Sequence, residues 1–315
     1  QEGGSAMMAE AYGKLTGKPG VCLVTRGPGA TNASAGIHIA MQDSTPLVML
    51  VGQVGREMMD REAFQEIDYR RMYGELTKWV AQIEDTSRIP EYISRAFHTA
   101  TSGRPGPVVL ALPEDMLTEY ADTKIINSYQ KIEAYPSPAD LVKVEEMLSN
   151  SDAPLMIVGG GGWDEAACQK IQNFAAKNHL PVGCSFRCQD YFDNRHPNYV
   201  GHIGIGLSTS LQDRIVNSDL LVVIGARLGE VTTSGYSLLD IPRPKQQLIH
   251  IHSGAEELGS VYQADLPINA SPRSFAEAIS QLEITGSEKW ASSTKQGNDA
   301  YLETLIPKAI PGDVQ

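Results

Sequence analysis

The chain has 315 residues, 42% of them hydrophobic and 20% charged, the make-up of an ordinary globular protein with room for two domains. A formal net charge of −12 argues against a nucleic-acid-binding surface, which needs a basic patch, and no run of about 18 apolar residues is present to span a membrane. The opening residues lack a basic start followed by an apolar run, so no signal peptide is read and a cytoplasmic location is expected, with Cys22, Cys168, Cys184 and Cys188 as reduced thiols.

In chain order, Glu2 stands near the start of a helix, where the dipole favours an acid. Val21 to Thr25 reads as a buried strand that ends at Gly27-Pro28-Gly29. A helix from about Thr31 to Gln42 follows, with Thr31 or Asn32 as its cap, then a strand from Pro46 to Gly52. A helix beginning near Thr86 places Ile89, Ile93, Phe97 and Ala100 on one face, and the strand Pro107 to Leu112 closes the unit. Residues 118–137 lack a clear period and end in Pro136 and Pro138, which reads as a linker. Beyond it come a helix from Pro138 to Ser149, a strand from Pro154 to Gly159, and a helix carrying Trp163, Ala167, Ile171 and Phe174 on one face. Further strands are expected at Pro181 to Ser185, Leu220 to Gly225, Leu248 to His252 and Leu266 to Asn269, with a last helix from Pro272 to Leu282. The stretch 286–315, which includes ASSTKQGND, reads as a connector. Strands alternating with helices in this way imply an α/β fold of two doubly wound parallel-sheet domains, 1–117 and 138–285.

Two glycine-rich turns stand at the strand-to-helix positions where α/β proteins bind ligands. Gly159 to Gly162 could cradle a phosphate through backbone N–H groups, with Gly159, Gly160, Gly161 and Arg227 as candidate nucleotide-site residues, but the run is not a GxGxxG and Asp164 follows at once. A tight strand-to-helix turn is the preferred explanation. The stretch from Gly27 to Asn32 can be a ligand site or only a helix start. His250 and His252 alternate in a strand and are read as pointing to opposite faces, so no shared metal is expected, and no metal site is assigned in the chain. Read alone, Glu2 is no more than a helix-start acid.

Several segments then match one family in order: QEGGSAMMAEAYGKLTGKPGV, TRGPGATNASAGIHIAMQDSTPLVMLVGQV, AFQEID at Ala63 to Asp68, TKW at Thr77, and GRPGPVVLALPEDM at Gly103. These resemble the pyrimidine-binding domain of thiamine-diphosphate enzymes, nearest to the acetolactate-synthase type. IVGGGGW, HPNYVGHIGIG and DLLVVIGARLGE resemble that family's central, Rossmann-like domain. The resemblance implies thiamine diphosphate and Mg²⁺ as cofactors of a full-length parent, decarboxylation of a 2-keto acid, and ligation to a second keto acid. A decarboxylase or lyase without the ligation, or a non-catalytic nucleotide-binding or assembly module, are the alternatives. It makes Glu2 the carboxyl at the cofactor's pyrimidine ring, sets Gly27, Pro28, Gly29, Asn32 and Gln65 beside the cofactor, and gives Phe64 and Gln65 the substrate side. It also implies a homodimer or homotetramer with the site between subunits.

Three departures are visible. Gln1 stands where relatives often have His. Gly201 to Gly204 lacks a Met-His-Gly triplet, and LGEVTT follows Arg227 where flavin-binding relatives carry paired acids, so FAD, an adenine nucleotide or an empty central domain stay open. The family's Gly-Asp-Gly metal and diphosphate signature is not found, the one Gly-Asp pair being Gly312-Asp313. The chain alone is therefore expected to be inactive, with a diphosphate-binding domain and the opening elements of the first domain absent.

Overall fold

A computed structural model describes residues 1–307. The chain forms two compact units, residues 1–133 and residues from 134 on. Each holds one sheet among the described residues, and every strand pair in both is parallel.

The first unit runs α1 (Glu2–Thr16), β1 (Gly20–Val24), α2 (Pro28–Gln42), β2 (Leu47–Gln53), α3 (Tyr69–Tyr73), β3 (Trp79–Gln82), α4 (Ile89–Thr101) and β4 (Pro107–Pro113). Its sheet has the order β1-β2-β4-β3, with Val24 beside Val51 and Val51 beside Ala111. β4 is buried along its whole length, as an inner parallel strand must be, whereas the edge strand β1 alternates buried and exposed residues. α1, α2 and α3 cover one face around Ile37, Met49 and Tyr73, and α4 covers the other through Ala96 and Ala100.

α2 begins at Pro28, three residues before the expected Thr31, because proline at the first helical position has the right φ and no N–H to satisfy. The helix expected near Thr86 opens with a 3-10 turn, Thr86–Arg88, where Asp85 accepts from the Ser87 N–H. Residues 119–137 hold no helix or strand.

The second unit runs α5 (Pro138–Asn150), β5 (Pro154–Val158), α6 (Glu165–Lys177), β6 (Val182–Ser185), β7 (Tyr199–Ile203), α7 (Thr209–Asn217), β8 (Leu220–Ile224), β9 (Gln247–His252), β10 (Leu266–Asn269), α8 (Pro272–Ile279) and α9 (Ala291–Thr304). The sheet order is β10-β9-β8-β5-β6-β7, so the winding reverses between β5 and β8. α5, α6 and α8 cover one face, and α7 lies on the other with Leu221, Val223 and Leu248.

The segment read as a connector from Gly286 is packed structure as far as it is described. Trp290 is buried with its indole N–H donating to Ser151 O, Thr294 bonds His179 O, and the Asn298 amide donates to Tyr199 O at 2.8 Å. Gly312-Asp313 lies outside the described residues.

The pairing of His250 with His252 is also corrected. Residues two apart in a strand share a face, and the two rings lie 6.3 Å apart on the same side of β9. Among the described residues no group of three or more His, Cys, Asp or Glu is arranged to hold a metal ion, and all four cysteines are free thiols. No described helix is long and apolar enough to cross a membrane.

Candidate active site

The first unit brings Glu2 to the Gly27 turn by close helix packing. α1 and α2 meet through small residues: a side chain at Gly36 would fall 2.6 Å from the Ala6 Cβ, and one at Gly3 would fall 3.1 Å from Asn32 O. Only Gly and Ala let two helix backbones approach this far. The contact sets the start of α1 against the first turns of α2, and the amide of Asn32, thirty residues after Glu2, donates to Glu2 Oε2 at 3.2 Å. A Cβ at Gly29 would sit 3.6 Å from Glu2 Cγ. Glu2 is half-buried and Asn32 exposed.

Hydrogen bonding by its own backbone N–H, and then by Asn32, holds the Glu2 carboxyl below its ordinary value, so it is a carboxylate at neutral pH. α2 itself begins without a side-chain cap, its Ala30 N–H donating to Thr25 O at 3.1 Å. Its cap residue is Gly27 at φ 58°, no side chain caps it, and its first turn holds no acid. The expected cap at Thr31 or Asn32 is therefore replaced: the Thr31 hydroxyl donates back to Gly27 O at 3.0 Å, and Asn32 serves Glu2. The positive end of the helix dipole is left for a neighbouring carboxylate or a ligand.

Gln65 closes the turn from the other side. A Cβ on Gly27 would lie 2.7 Å from Gln65 Cβ and 3.0 Å from Gln65 O, so the loop seats directly on glycine. The loop is shaped by Glu66, whose carboxylate accepts from the Asp60 and Ala63 N–H groups at 2.8 and 3.0 Å. Gln53, buried at the end of β2, donates to Ile67 O at 2.7 Å and accepts from the Val54 N–H. Phe64 stands out from this loop at 78% exposure. Glu2 thus meets Gly29 and Asn32, Gln65 meets Gly27, Pro28 opens α2 between them, and Phe64 is exposed on the loop that carries Gln65.

Two tyrosines of α3 carry part of this site and were not singled out from sequence. Tyr69 Oη accepts from the Gly27 N–H at 3.0 Å, and Tyr73 Oη donates to Ala30 O at 2.5 Å. An aromatic pair at i, i+4 just after Asp68, a helix-capping residue, was the available signal.

In the second unit the Gly159–Gly162 turn meets the chain itself. A side chain at Gly160 would run into Gly225 O, and one at Gly159 into the Ser185 hydroxyl. Trp163 Nε1 donates to Gly159 O and Tyr191 Oη to Gly160 O, both at 2.8 Å, while Asp164 caps α6. Arg227 lies apart from these glycines' bonds and pairs with Glu257 at 2.9 Å. It lines a cleft with Tyr236, His250, Glu257 and Tyr262. Two buried atoms here have no partner, His250 Nδ1 and Tyr262 Oη. Burial pushes the His250 imidazole down to about 4, so it is neutral. Its Nε2 lies 3.0 Å from Ala226 O and must carry the proton, leaving Nδ1 as an acceptor.

Comparison with known proteins follows the same division. Residues 1–72 match the thiamine pyrophosphate enzyme N-terminal TPP binding domain, and residues 141–279 match the thiamine pyrophosphate enzyme central domain. A probable acetolactate synthase large subunit of Methanocaldococcus jannaschii is 31% identical over 309 residues, covering 92% of this chain and 50% of that protein. The acetolactate synthase isozyme 2 large subunit of Escherichia coli is 30% identical, over 89% of this chain and 50% of its own. For the acetolactate synthase large subunit of Corynebacterium glutamicum the figures are 31%, 91% and 46%. The chain spans about half the length of the curated relatives it matches. With both of its units matched in order, the chain belongs to the thiamine pyrophosphate enzyme family and is similar to acetolactate synthase large subunits.

Proposed function

We propose that this chain supplies the pyrimidine side of a thiamine diphosphate site in an enzyme that decarboxylates a 2-keto acid and joins the product to a second keto acid. The observation that carries the reading is the meeting of Glu2, Gly29 and Asn32 at a helix start with no side-chain cap. The residues fit the cofactor: a flat heterocycle needs close approach to backbone, which the glycines allow, and its ring nitrogen needs a carboxyl, which Glu2 offers half-exposed. When bound, thiamine diphosphate supplies a nucleophilic carbon and the electron sink for decarboxylation.

In this reading Glu2 holds the proton at the pyrimidine nitrogen and Asn32 keeps its carboxyl oriented. Gly27, Pro28 and Gly29 form the wall against the ring. Phe64 and Gln65 stand on the substrate side. Mg²⁺ and the diphosphate are assigned to residues outside those described, in keeping with relatives twice this length. We assign the working protein to the cytoplasm as a homodimer or homotetramer, and the chain by itself to an inactive state with weak cofactor affinity. Titration of this chain with thiamine diphosphate and Mg²⁺ in a calorimeter tests that last point, and tight binding would contradict it.

Carboligation is favoured over simple decarboxylation by the relatives' names and by the Phe64-Gln65-Glu66 triplet. Product analysis on pyruvate decides: acetolactate supports the synthase, acetaldehyde alone the decarboxylase. For the second unit, FAD or an adenine nucleotide is supported by the Arg227 cleft, whose unpartnered His250 and Tyr262 atoms suit a hydroxylated ligand. Thermal-shift titration with ADP and with FAD is expected to raise the unfolding temperature for one of them; no shift with either leaves the domain structural.

A further inference from the structure

Both ends of the turn that opens α2 are tied to one short helix. The Gly27 N–H donates to Tyr69, and Tyr73 donates to Ala30 O. The rings stack with centroids 6.3 Å apart and are almost wholly buried among Val24, Ala33, Ile37 and Met49. In such apolar surroundings phenylalanine would fill the space equally well. A hydroxyl is tolerated there only when it is hydrogen-bonded, so its presence at both positions marks a tie to backbone.

The same segment touches the turn a second time. α3 starts at Tyr69, four residues after Gln65, whose Cβ and carbonyl lie against Gly27. Asp68 accepts from the Arg70 and Arg71 N–H groups and fixes the junction between loop and helix. Gly27 is therefore gripped on one side by the loop that carries Phe64 and Gln65, and on the other by the helix that continues it.

We infer that Tyr69 and Tyr73 are positioning residues that hold the Gly27–Ala30 turn against Glu2 and couple it to the Phe64–Gln65 loop, so that the cofactor side and the substrate side shift as one piece. The consequence for catalysis rests on the thiamine diphosphate reading, whereas the brace itself can be judged on this chain alone.

Tyr69→Phe and Tyr73→Phe keep the rings and the packing and remove only the hydroxyls. Amide hydrogen exchange on the chain is expected to rise about fivefold to tenfold across residues 27–31 in either variant, the equivalent of about one net hydrogen bond. The rise should extend to residues 63–67, while β4 stays protected. In the full-length enzyme the Kd for thiamine diphosphate and the KM for the keto acid should rise together, by about threefold to tenfold, with kcat changed less than about twofold. Unchanged exchange at 27–31 in both variants would overturn the brace. Exchange that rises at 27–31 but not at 63–67, or Kd without KM, would overturn the coupling. Should Tyr69→Phe fail to fold, Tyr73→Phe gives the same reading through Ala30. Normal activity in Glu2→Gln would remove the cofactor reading and leave the exchange result standing.

Discussion

Gly27–Gly29 and Gly159–Gly162 are both glycine turns that leave a parallel strand and enter a helix, yet the chain around them builds opposite things. At Gly160 the neighbour is Gly225 O, at the point where the winding of the sheet reverses, and the turn's carbonyls are taken by Trp163 and Tyr191. Asp164 then caps the helix, so its positive end is already satisfied. At Gly27 the turn is held from behind by Tyr69 and Gln65, while its front keeps a helix start with no side-chain cap and a carboxylate delivered by another helix. Glycine spacing alone says that something comes close to backbone. Whether that something is the protein or a ligand depends on which polar groups are left over.

Substitutions can break this contrast. Gly160→Ala puts a side chain into Gly225 O at φ 70°, and the sheet cannot move aside. A loss of roughly 4 kcal/mol in unfolding free energy is expected by denaturant titration, from the clash and the left-handed backbone together. A pH titration gives the next effect. His250 titrates near 4 in the folded state against an ordinary 6.5, so between those values the unfolded chain binds more protons. The second unit should keep its full stability above pH 6.5 and lose on the order of 3 kcal/mol as pH falls toward 4. His250→Gln is expected to flatten that slope; a slope that survives would place the acid sensitivity elsewhere.

Gly27→Ala presses on Gln65 at φ 58°, but that neighbour is in a loop that can give. About 2 kcal/mol is expected, with increased proteolytic cleavage between residues 60 and 67. Asp164→Ala removes the cap of α6 together with the exposed ion pair to Arg273 at 3.0 Å, for about 1 kcal/mol. It also uncovers a helix start, and if phosphate then stabilises the chain measurably, the contrast between the two turns comes down to that one carboxylate.

Much of this was readable in advance where burial is continuous. β2, β4, β5 and β8 are nearly unbroken apolar runs, because inner parallel strands have no wet face. β3 and β7 were missed: WVAQ is short and partly exposed, and glycine interrupts YVGHI. α9 was read as a connector because it packs through Thr294, Gly297 and Asn298, so no apolar stripe marks it. The site was legible only in part. Glu2 and Asn32 meet through the small-residue contact of α1 with α2, which carries no local period, and the bonds of Tyr69 and Tyr73 join residues more than forty apart. The family resemblance supplied Glu2 with Gly27, Pro28, Gly29, Asn32, Phe64 and Gln65, and the geometry added Tyr69 and Tyr73.

The most direct test is the rate of acetolactate formation from pyruvate by the full-length protein and its Glu2→Gln variant, at saturating thiamine diphosphate and Mg²⁺. Glutamine keeps the shape and loses the titrating carboxyl, so a fall of about 10²-fold or more in kcat is predicted, in the range typical for a positioned proton-transfer group. A variant within about twofold of the parent would contradict the assignment of Glu2 to the pyrimidine ring.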